Sequence, residues 1–249
     1  MEVHHHSHTA RRKWTHYFWE FLMLFLAVTL GFFVENQREH YIEKQRAKEF
    51  AQSLTSDLKL DIINLTDMIL VYDSVIKNTE TFIQLVDSFP GGEVPGGTLY
   101  YYGNFVNMNY RMAFYTATIE QLKSSGSLRY FPLNLRNKIS SYDQNIQEYN
   151  LRQGNEPVYN IETRKYYEKI FDQAVLKRFE KTGNADTLFK LSQTNFPLLM
   201  DDKLLLKQFA NNCYGRKEAW RNRTKFMLIP IKKMAEDLVK LLAKEYHFK

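Results

Sequence analysis

Among 249 residues there is one cysteine, Cys213. A single thiol excludes an intrachain disulfide framework and a multi-cysteine zinc site. Glycine and proline are scarce too, at 10 and 6 residues, which favours long helices over a turn-rich β fold. Histidine is missing where chemistry would need it. The seven histidines stand at positions 4, 5, 6, 8, 16, 40 and 247, with none between Tyr41 and Tyr246. A Ser-His-Asp or Cys-His hydrolase would have to recruit His247, and a zinc site inside the domain would lack its commonest ligand. No Gly-rich phosphate loop or dinucleotide fingerprint occurs. Carboxylate pairs such as Asp201-Asp202 do occur, but acids at a helix start are the ordinary response to the helix dipole. The expectation is a protein that is not an enzyme and uses no cofactor and no metal.

What is present is ordinary for a folded chain: 44% apolar and 25% charged residues, enough to build one sizeable core. The net charge of +6 is unevenly placed. Residues 201–249 carry 12 Lys/Arg against 6 Asp/Glu, whereas residues 51–90 carry 2 against 6. A basic tail can serve nucleic acid. Here the basic residues share their segment with a strong apolar stripe, so an acidic and a basic helix lying side by side in one bundle is the better reading, and nucleic acid is not an expected partner.

Residues 21–34 form an uncharged apolar run bounded by Glu20 and Glu35. Fourteen residues are short for a membrane span, which needs about 20. Extension to residues 17–36 supplies the length, with Glu20 one turn inside and able to snorkel outward. Trp14, Tyr17 and Trp19 sit where an interfacial aromatic belt belongs. A cleaved signal peptide would need small residues soon after the run, but Gly31 is followed by Phe-Phe-Val-Glu-Asn-Gln, so an uncleaved signal anchor is expected. A bare Lys/Arg count does not fix orientation: Arg11, Arg12 and Lys13 precede the span, and Arg38, Lys44, Arg46 and Lys48 follow it. The first cluster is compact and free of acids, which favours a cytoplasmic N-terminus and an external domain. Ala27 and Gly31 form a small-xxx-small pair that lets two helices approach closely. Glu20, Leu24, Ala27 and Gly31 share one helical side and are the expected oligomerisation face. An intramembrane carboxylate such as Glu20 is a functional-site candidate; a headgroup-level residue without special role is the plain alternative.

Residues 1–16 make a short polar tail rich in His and Arg, with unspecific metal affinity at most. No Gly or Pro occurs across the 58 residues 32–89. Phe50, Leu54, Leu58, Ile62, Leu65, Ile69, Tyr72, Ile76, Ile83 and Val86 recur there at three- and four-residue steps, apart from one gap of seven, as in an amphipathic helix continuous with the span. Residues 37–49 are almost wholly polar, a stalk or a helix that pairs with copies of itself. Pro90-Gly91-Gly92 is expected to end the helix. Residues 90–115 read as an irregular, aromatic-rich loop holding Pro95-Gly96-Gly97, Gly103, Tyr100, Tyr101 and Tyr102. Such aromatics either plug the end of a bundle or line a glycan or peptide groove. Thr118 and Gln121 fit a capping box and Gly126 a helix C′ position. A second long pattern runs through Leu135, Ile139, Tyr142, Ile146 and Tyr149. After an interruption at Gly154 and Pro157 it resumes through Tyr166, Ile170, Ala174 and Leu176 to Gly183. A polar connector over residues 184–197 leads to a last helix (Leu205, Phe209, Trp220, Met227, Ile231, Met234, Leu238, Leu241), which Pro230 should kink. The fold expected is all-α: a transmembrane helix at 17–36 continuing into a long helix, then an up-and-down bundle over residues 50–249.

The opening (Arg12-Lys13-Trp14, Tyr17-Phe18-Trp19-Glu20-Phe21-Leu22, Gly31-Phe32, Glu35-Asn36-Gln37-Arg38-Glu39), then Ser53-Leu54, Asp57-Leu58 and residues 122–129 with Leu135, Arg136, Ile139 and Tyr142, resembles a family of uncharacterised single-pass membrane proteins of the Bacteroidetes type. The similarity covers most of the chain and is dense over the first 60 residues and around Gly126; the loop at 90–104 has no counterpart in it. The resemblance implies an N-in anchor, an external helical domain and a native His-rich start. It brings no established activity.

The functional expectation is therefore a scaffold or interaction subunit of an inner-membrane assembly, with the lipid bilayer, copies of itself and other inner-membrane proteins as partners. The alternative is a sensor that binds a ligand in its periplasmic bundle and signals through a separate cytoplasmic partner, since the 16 residues before the span carry no effector module. An envelope ligand binder is the third reading. Tyr100, Tyr101, Tyr102, Arg216, Lys217, Arg221 and Arg223 are the candidate ligand or partner surface.

Overall fold

A computed structural model describes residues 14–88, 94–107, 110–154 and 156–248, without the side chains of 156–159. Arg11, Arg12, Lys13, Pro90-Gly91-Gly92 and Asn109 thus lie outside the described residues. Those described form helices and no strand. The chain divides into two compact units, Met1–Phe50 and Ala51–Lys249.

Helix α1 is assigned over Trp14–Ser88, in keeping with a stretch that holds one glycine, Gly31, and no proline. Its first part belongs to the first unit. There the large apolar side chains face outward: Phe21, Met23 and Leu24 are about two-thirds exposed and Phe32 is 77% exposed. Among the described residues, α1 is the one helix long and apolar enough to cross a membrane.

In the second unit the stripe of α1 follows steps of three and four, apart from one step of seven between Leu65 and Tyr72. Ala51, Leu54, Leu58, Asp61, Leu65, Tyr72, Val75, Thr79, Phe82 and Val86 are buried. The apolar-only pattern slips one residue sideways onto Ile62, Ile69, Ile76 and Ile83, which are only partly buried. The cause is that Asp61 and Thr79 occupy core positions, and Thr79 fills the seven-residue gap.

Helix α2 (Gly96–Asn107) replaces the irregular loop expected over this stretch. Its glycines are contact points rather than breaks. A Cβ on Gly96 would sit 1.8 Å from the Phe196 carbonyl oxygen, and one on Gly97 2.2 Å from that of Leu191. Helix α3 (Ala117–Ser124) starts two residues earlier than the expected capping box implies, with Thr116 in place of Thr118 at the N-cap. Gly126 does take the left-handed conformation after it, at φ 67°. Helix α4 (Leu133–Gly154) buries Leu135, Ile139, Tyr142, Ile146 and Tyr149, the pattern its sequence shows.

The next stretch is more broken than its periodicity suggests. Helix α5 (Glu156–Ile170) stops at Phe171, and α6 (Gln173–Glu180) restarts on Asp172, whose carboxylate accepts from the Ala174 amide. Within the expected connector lies α7 (Ala185–Ser192), capped by Asn184. Helix α8 (Lys203–Arg223) opens on Asp202, which accepts from the Leu204 and Leu205 amides. The last helix expected from the sequence is interrupted next to Pro230. A π turn over Thr224–Leu228, in which the Ile229 amide donates to the Thr224 carbonyl, leads into α9 (Ile229–Tyr246) with Pro230 in its first turn. The widened turn absorbs the hydrogen bond that proline cannot make.

Candidate functional site

The candidate face of the span remains open. Leu24 is 68% exposed, Ala27 and Gly31 are exposed, and a Cβ on Gly31 would meet nothing within 4 Å. Glu20 lies 3.0 Å from His16 Nε2, one turn earlier.

The three tyrosines of α2 separate. Tyr100 is fully buried, so it forms no surface. Its hydroxyl donates to the Pro197 carbonyl at 3.0 Å and accepts from the Asp172 amide at 2.9 Å. Its ring stands edge-on to Phe171 with centroids 5.1 Å apart. Tyr101 and Tyr102 line a cavity of about 300 Å³ with Leu188 and Phe189 of α7. The cluster around Tyr100 (Phe82, Tyr167, Phe171, Phe179, Phe209) is core, so the bundle-plug reading of these aromatics describes Tyr100.

The basic residues also separate. Lys217 is 3% exposed and pairs with Glu80 of α1; Lys207, ten residues earlier on α8, pairs with Asp87. The acidic and basic helices are therefore neighbours here, although Asp57 and Asp61 are used otherwise, as described below. Arg221 is exposed and pairs with Glu218 on its own helix. Arg216 and Arg223 instead turn toward a cleft of about 380 Å³ between α8, α5 and the end of α4. Their spacing of seven puts them on one face of α8, with Asn212 and Trp220. The Arg216 guanidinium lies over the Trp220 ring, 4.8 Å from its centroid, and Arg223 Nη1 donates to the Tyr72 hydroxyl at 3.2 Å. The opposite wall carries Asn160 and Thr163 of α5 and Arg152 of α4. Arg152 also pairs with Glu148 on its own helix.

Sequence reasoning singled out two of these three arginines. Arg152 and the amides had no local signal, because only tertiary packing brings α4 and α5 to α8. Asn211-Asn212, four and five residues before Arg216, were the one hint that this face is polar without being a solvated charge stripe.

A second polar centre was missed altogether. Asp61 is wholly buried; its carboxylate accepts from the Tyr115 amide at 2.9 Å and from the Tyr142 hydroxyl at 2.7 Å. Asp57 accepts from the Thr118 amide at 3.2 Å. Two carboxylates of α1 thus cap the start of α3, and Gln153 of α4 grips Met112 through both its amide and its carbonyl. Burial, reinforced by the nearby charge of Asp57, pushes the Asp61 pKa up against the two hydrogen bonds. Burial likewise raises the Tyr142 hydroxyl. This centre is closed, so it holds the fold. Cys213 is fully buried, and burial pushes its thiol pKa well up, which leaves it unreactive. The chain matches no protein-family model, no curated protein and no solved structure.

Proposed function

We propose that this chain is a single-pass, membrane-anchored and non-enzymatic scaffold or interaction subunit of an inner-membrane assembly. Its N-terminus lies in the cytoplasm and its helical domain in the periplasm, and it self-associates through Glu20, Leu24, Ala27 and Gly31 together with the polar stalk at 37–49. One observation carries this reading: the apolar 18-residue window of α1 is 0% buried. A helix of that composition in a soluble domain would be covered, and in a bilayer it is solvated as it stands. The Arg11–Lys13 cluster supports the orientation, and the resemblance to single-pass membrane proteins of the Bacteroidetes type points the same way. The absence of histidine between Tyr41 and Tyr246 supports a role without acid–base catalysis.

An alkaline phosphatase fused after Lys249 should be active in intact cells, and activity only of a cytoplasm-dependent reporter there would overturn the orientation. Replacing both Ala27 and Gly31 with Ile should weaken self-association in mild detergent, because the close approach is lost; an unchanged oligomer removes the span from the explanation. A sensor that binds a ligand in its domain and signals through a separate cytoplasmic partner is the second reading, favoured by the arginine-lined cleft.

A further inference from the structure

We infer that the cavity between α2 and α7 is a binding site for a neutral saccharide, with a pyranose ring stacked on its aromatic walls. The inference goes beyond self-association and stands or falls independently of it. The cavity follows from how the two helices meet. Gly96 and Gly97 let the start of α2 close on the end of α7 and the residues after it. There the Gly97 amide donates to the Thr194 carbonyl at 2.9 Å, and Thr98 Oγ1 to that of Ser192 at 2.8 Å. One turn further along α2 stand Tyr101 and Tyr102, and earlier in α7 stand Ala185, Leu188 and Phe189. Between them a cavity of about 300 Å³ remains, a size that suits a small-molecule ligand. The α7 residues of the lining recur at helical steps along one side, which leaves the charged Asp186 and Lys190 off it.

The lining states the chemistry of the ligand. Among the described lining residues none is charged, so an ionic ligand would find no opposite charge there. What the cavity offers is aromatic rings and uncharged hydrogen-bonding groups. The Tyr101 and Tyr102 rings stand perpendicular, at 83° with centroids 5.0 Å apart, and Tyr101 is edge-on to Phe105 at 5.4 Å. Both tyrosines and Leu188 pack against the core cluster behind them, which fixes this wall in place. Phe189 on the facing wall is 66% exposed, a large ring that the fold itself does not bury. Among the described residues, the Tyr101 and Tyr102 hydroxyls have no hydrogen-bond partner. Gln193 donates to Ser192 Oγ at 3.4 Å and keeps its carbonyl oxygen for a further donor. A sugar ring uses both kinds of surface: its C–H face packs on an aromatic face, and its rim of hydroxyls needs donors and acceptors once water is displaced. A wholly apolar ligand would leave the tyrosine hydroxyls and the amide unmatched. A quaternary ammonium would use the rings but has no N–H or O–H to give to them.

The test is ligand-detected saturation-transfer NMR on the full chain in a polyoxyethylene detergent, which carries neither sugar nor ammonium, with protein-free micelles as the blank. The probes are cellobiose and, separately, N,N′-diacetylchitobiose. Saturation at the ring C–H protons of at least one of them is expected. Ala185→Phe, at an exposed position on the wall, should fill the cavity and abolish the signal. Phe189→Ala should weaken binding about 3- to 10-fold, the scale of one aromatic contact. Tyr102→Phe keeps the ring and loses the hydroxyl, and should weaken it about 2- to 10-fold. None of the three removes a group that the fold uses, so their melting temperatures without ligand should match that of wild type. If neither disaccharide takes up saturation, or if Ala185→Phe and Phe189→Ala bind as wild type does, no saccharide occupies the cavity. Choline binding that Phe189→Ala abolishes, with no disaccharide bound, would make the cavity an ammonium cage and overturn the proposal.

Discussion

Helix α1 secures the rest of its unit in two regions by opposite means. Around Asp57 and Asp61 the contact is polar, with carboxylates accepting from the amides of Tyr115 and Thr118 and from the Tyr142 hydroxyl. Around Phe82 it is aromatic: Phe82 and Phe209 meet edge to face at 5.3 Å, and α2 is drawn so close that Gly103 approaches Phe171. The two regions are about 30 Å apart along one helix. The first docks a segment without regular structure, whose amides need acceptors once buried. The second docks a helix whose amides are mostly bonded internally, so steric fit decides it. The exceptions there are at the first turn of α2, where the Gly97 amide donates to the Thr194 carbonyl at 2.9 Å and Thr98 Oγ1 to that of Ser192 at 2.8 Å.

This contrast is broken most sharply by a methyl group. Gly97→Ala places a Cβ against the carbonyl oxygens of Leu191 and Thr194, at 2.2 and 2.5 Å. Backbone cannot swing aside as a flexible side chain can, so α2 must retreat and lose those two hydrogen bonds. Overpacking and lost bonds together should cost about 3–5 kcal/mol, independent of pH, read as a drop in denaturant midpoint. Gly215→Ala on α8 is the internal control and should stabilise by about 0.5–1 kcal/mol. If both alanines behave alike, the glycines of α2 are not contact points.

The polar region should respond to pH instead. Asp61→Ala removes the acceptor of a buried amide and a buried hydroxyl, at a cost of about 2–4 kcal/mol. In Asp61→Asn the side-chain oxygen can still accept from the Tyr115 amide, and the new amide can donate to the Tyr142 oxygen, so about 1 kcal/mol or less is expected. The sign of the pH effect follows from the raised pKa of Asp61. The folded protein holds this proton to higher pH than the unfolded chain, whose carboxyl titrates near about 3.9. Its contribution is therefore fully present below that value and lost as pH rises through the folded pKa. Wild type should gain on Asp61→Asn as the pH falls from 7 toward 4. Parallel stability curves for the two proteins would mean that the carboxylate is as comfortable in the fold as in water.

The same contrast explains what the sequence disclosed. Helices with an uninterrupted apolar stripe were legible, and α4 is buried at the five positions its periodicity picks out. In α1 the expected Leu54, Leu58, Leu65, Tyr72 and Val86 are buried, while Ile62, Ile69, Ile76 and Ile83 lie beside the stripe, and Asp61 and Thr79 hold core positions that an apolar pattern cannot see. Gly96, Gly97 and Gly103 read as a loop because glycine signals a break locally, while the reason for Gly96 and Gly97 lies in backbone nearly 100 residues away and that for Gly103 in the ring of Phe171. The break before α6 carried a capping residue, Asp172, that outranked the apolar rhythm around it, and α7 lay hidden in the connector behind its own cap, Asn184. Of the cleft, Arg216 and Arg223 were visible as basic residues, but Arg152, Asn160 and Thr163 reach it only through the packing of α4 and α5 on α8.

The smallest effects belong to the ion pairs between α1 and α8, and they test whether charge holds these helices together. Lys207 and Asp87 pair at side-chain exposures of 54% and 50%. Exposed pairs of this kind contribute about 0–1 kcal/mol, and 1 M salt shortens the screening length to about 3 Å. A double-mutant cycle with Lys207→Met and Asp87→Asn should give a coupling in that range that vanishes in salt. Lys217 differs, because its side chain is 4% exposed and its ammonium lies 4.4 Å from the centroid of the Tyr214 ring. Its coupling to Glu80, measured with Lys217→Met and Glu80→Gln, should be the larger of the two and should fall less in salt, since the ammonium is covered although the Glu80 side chain is 40% exposed. Both couplings should nevertheless stay below the cost of truncating Phe82, which meets Phe209 and Phe171 in the core and should lose about 3–5 kcal/mol as alanine. If the Lys217 coupling exceeded that figure, electrostatics and not the aromatic contact would be what joins α1 to α8.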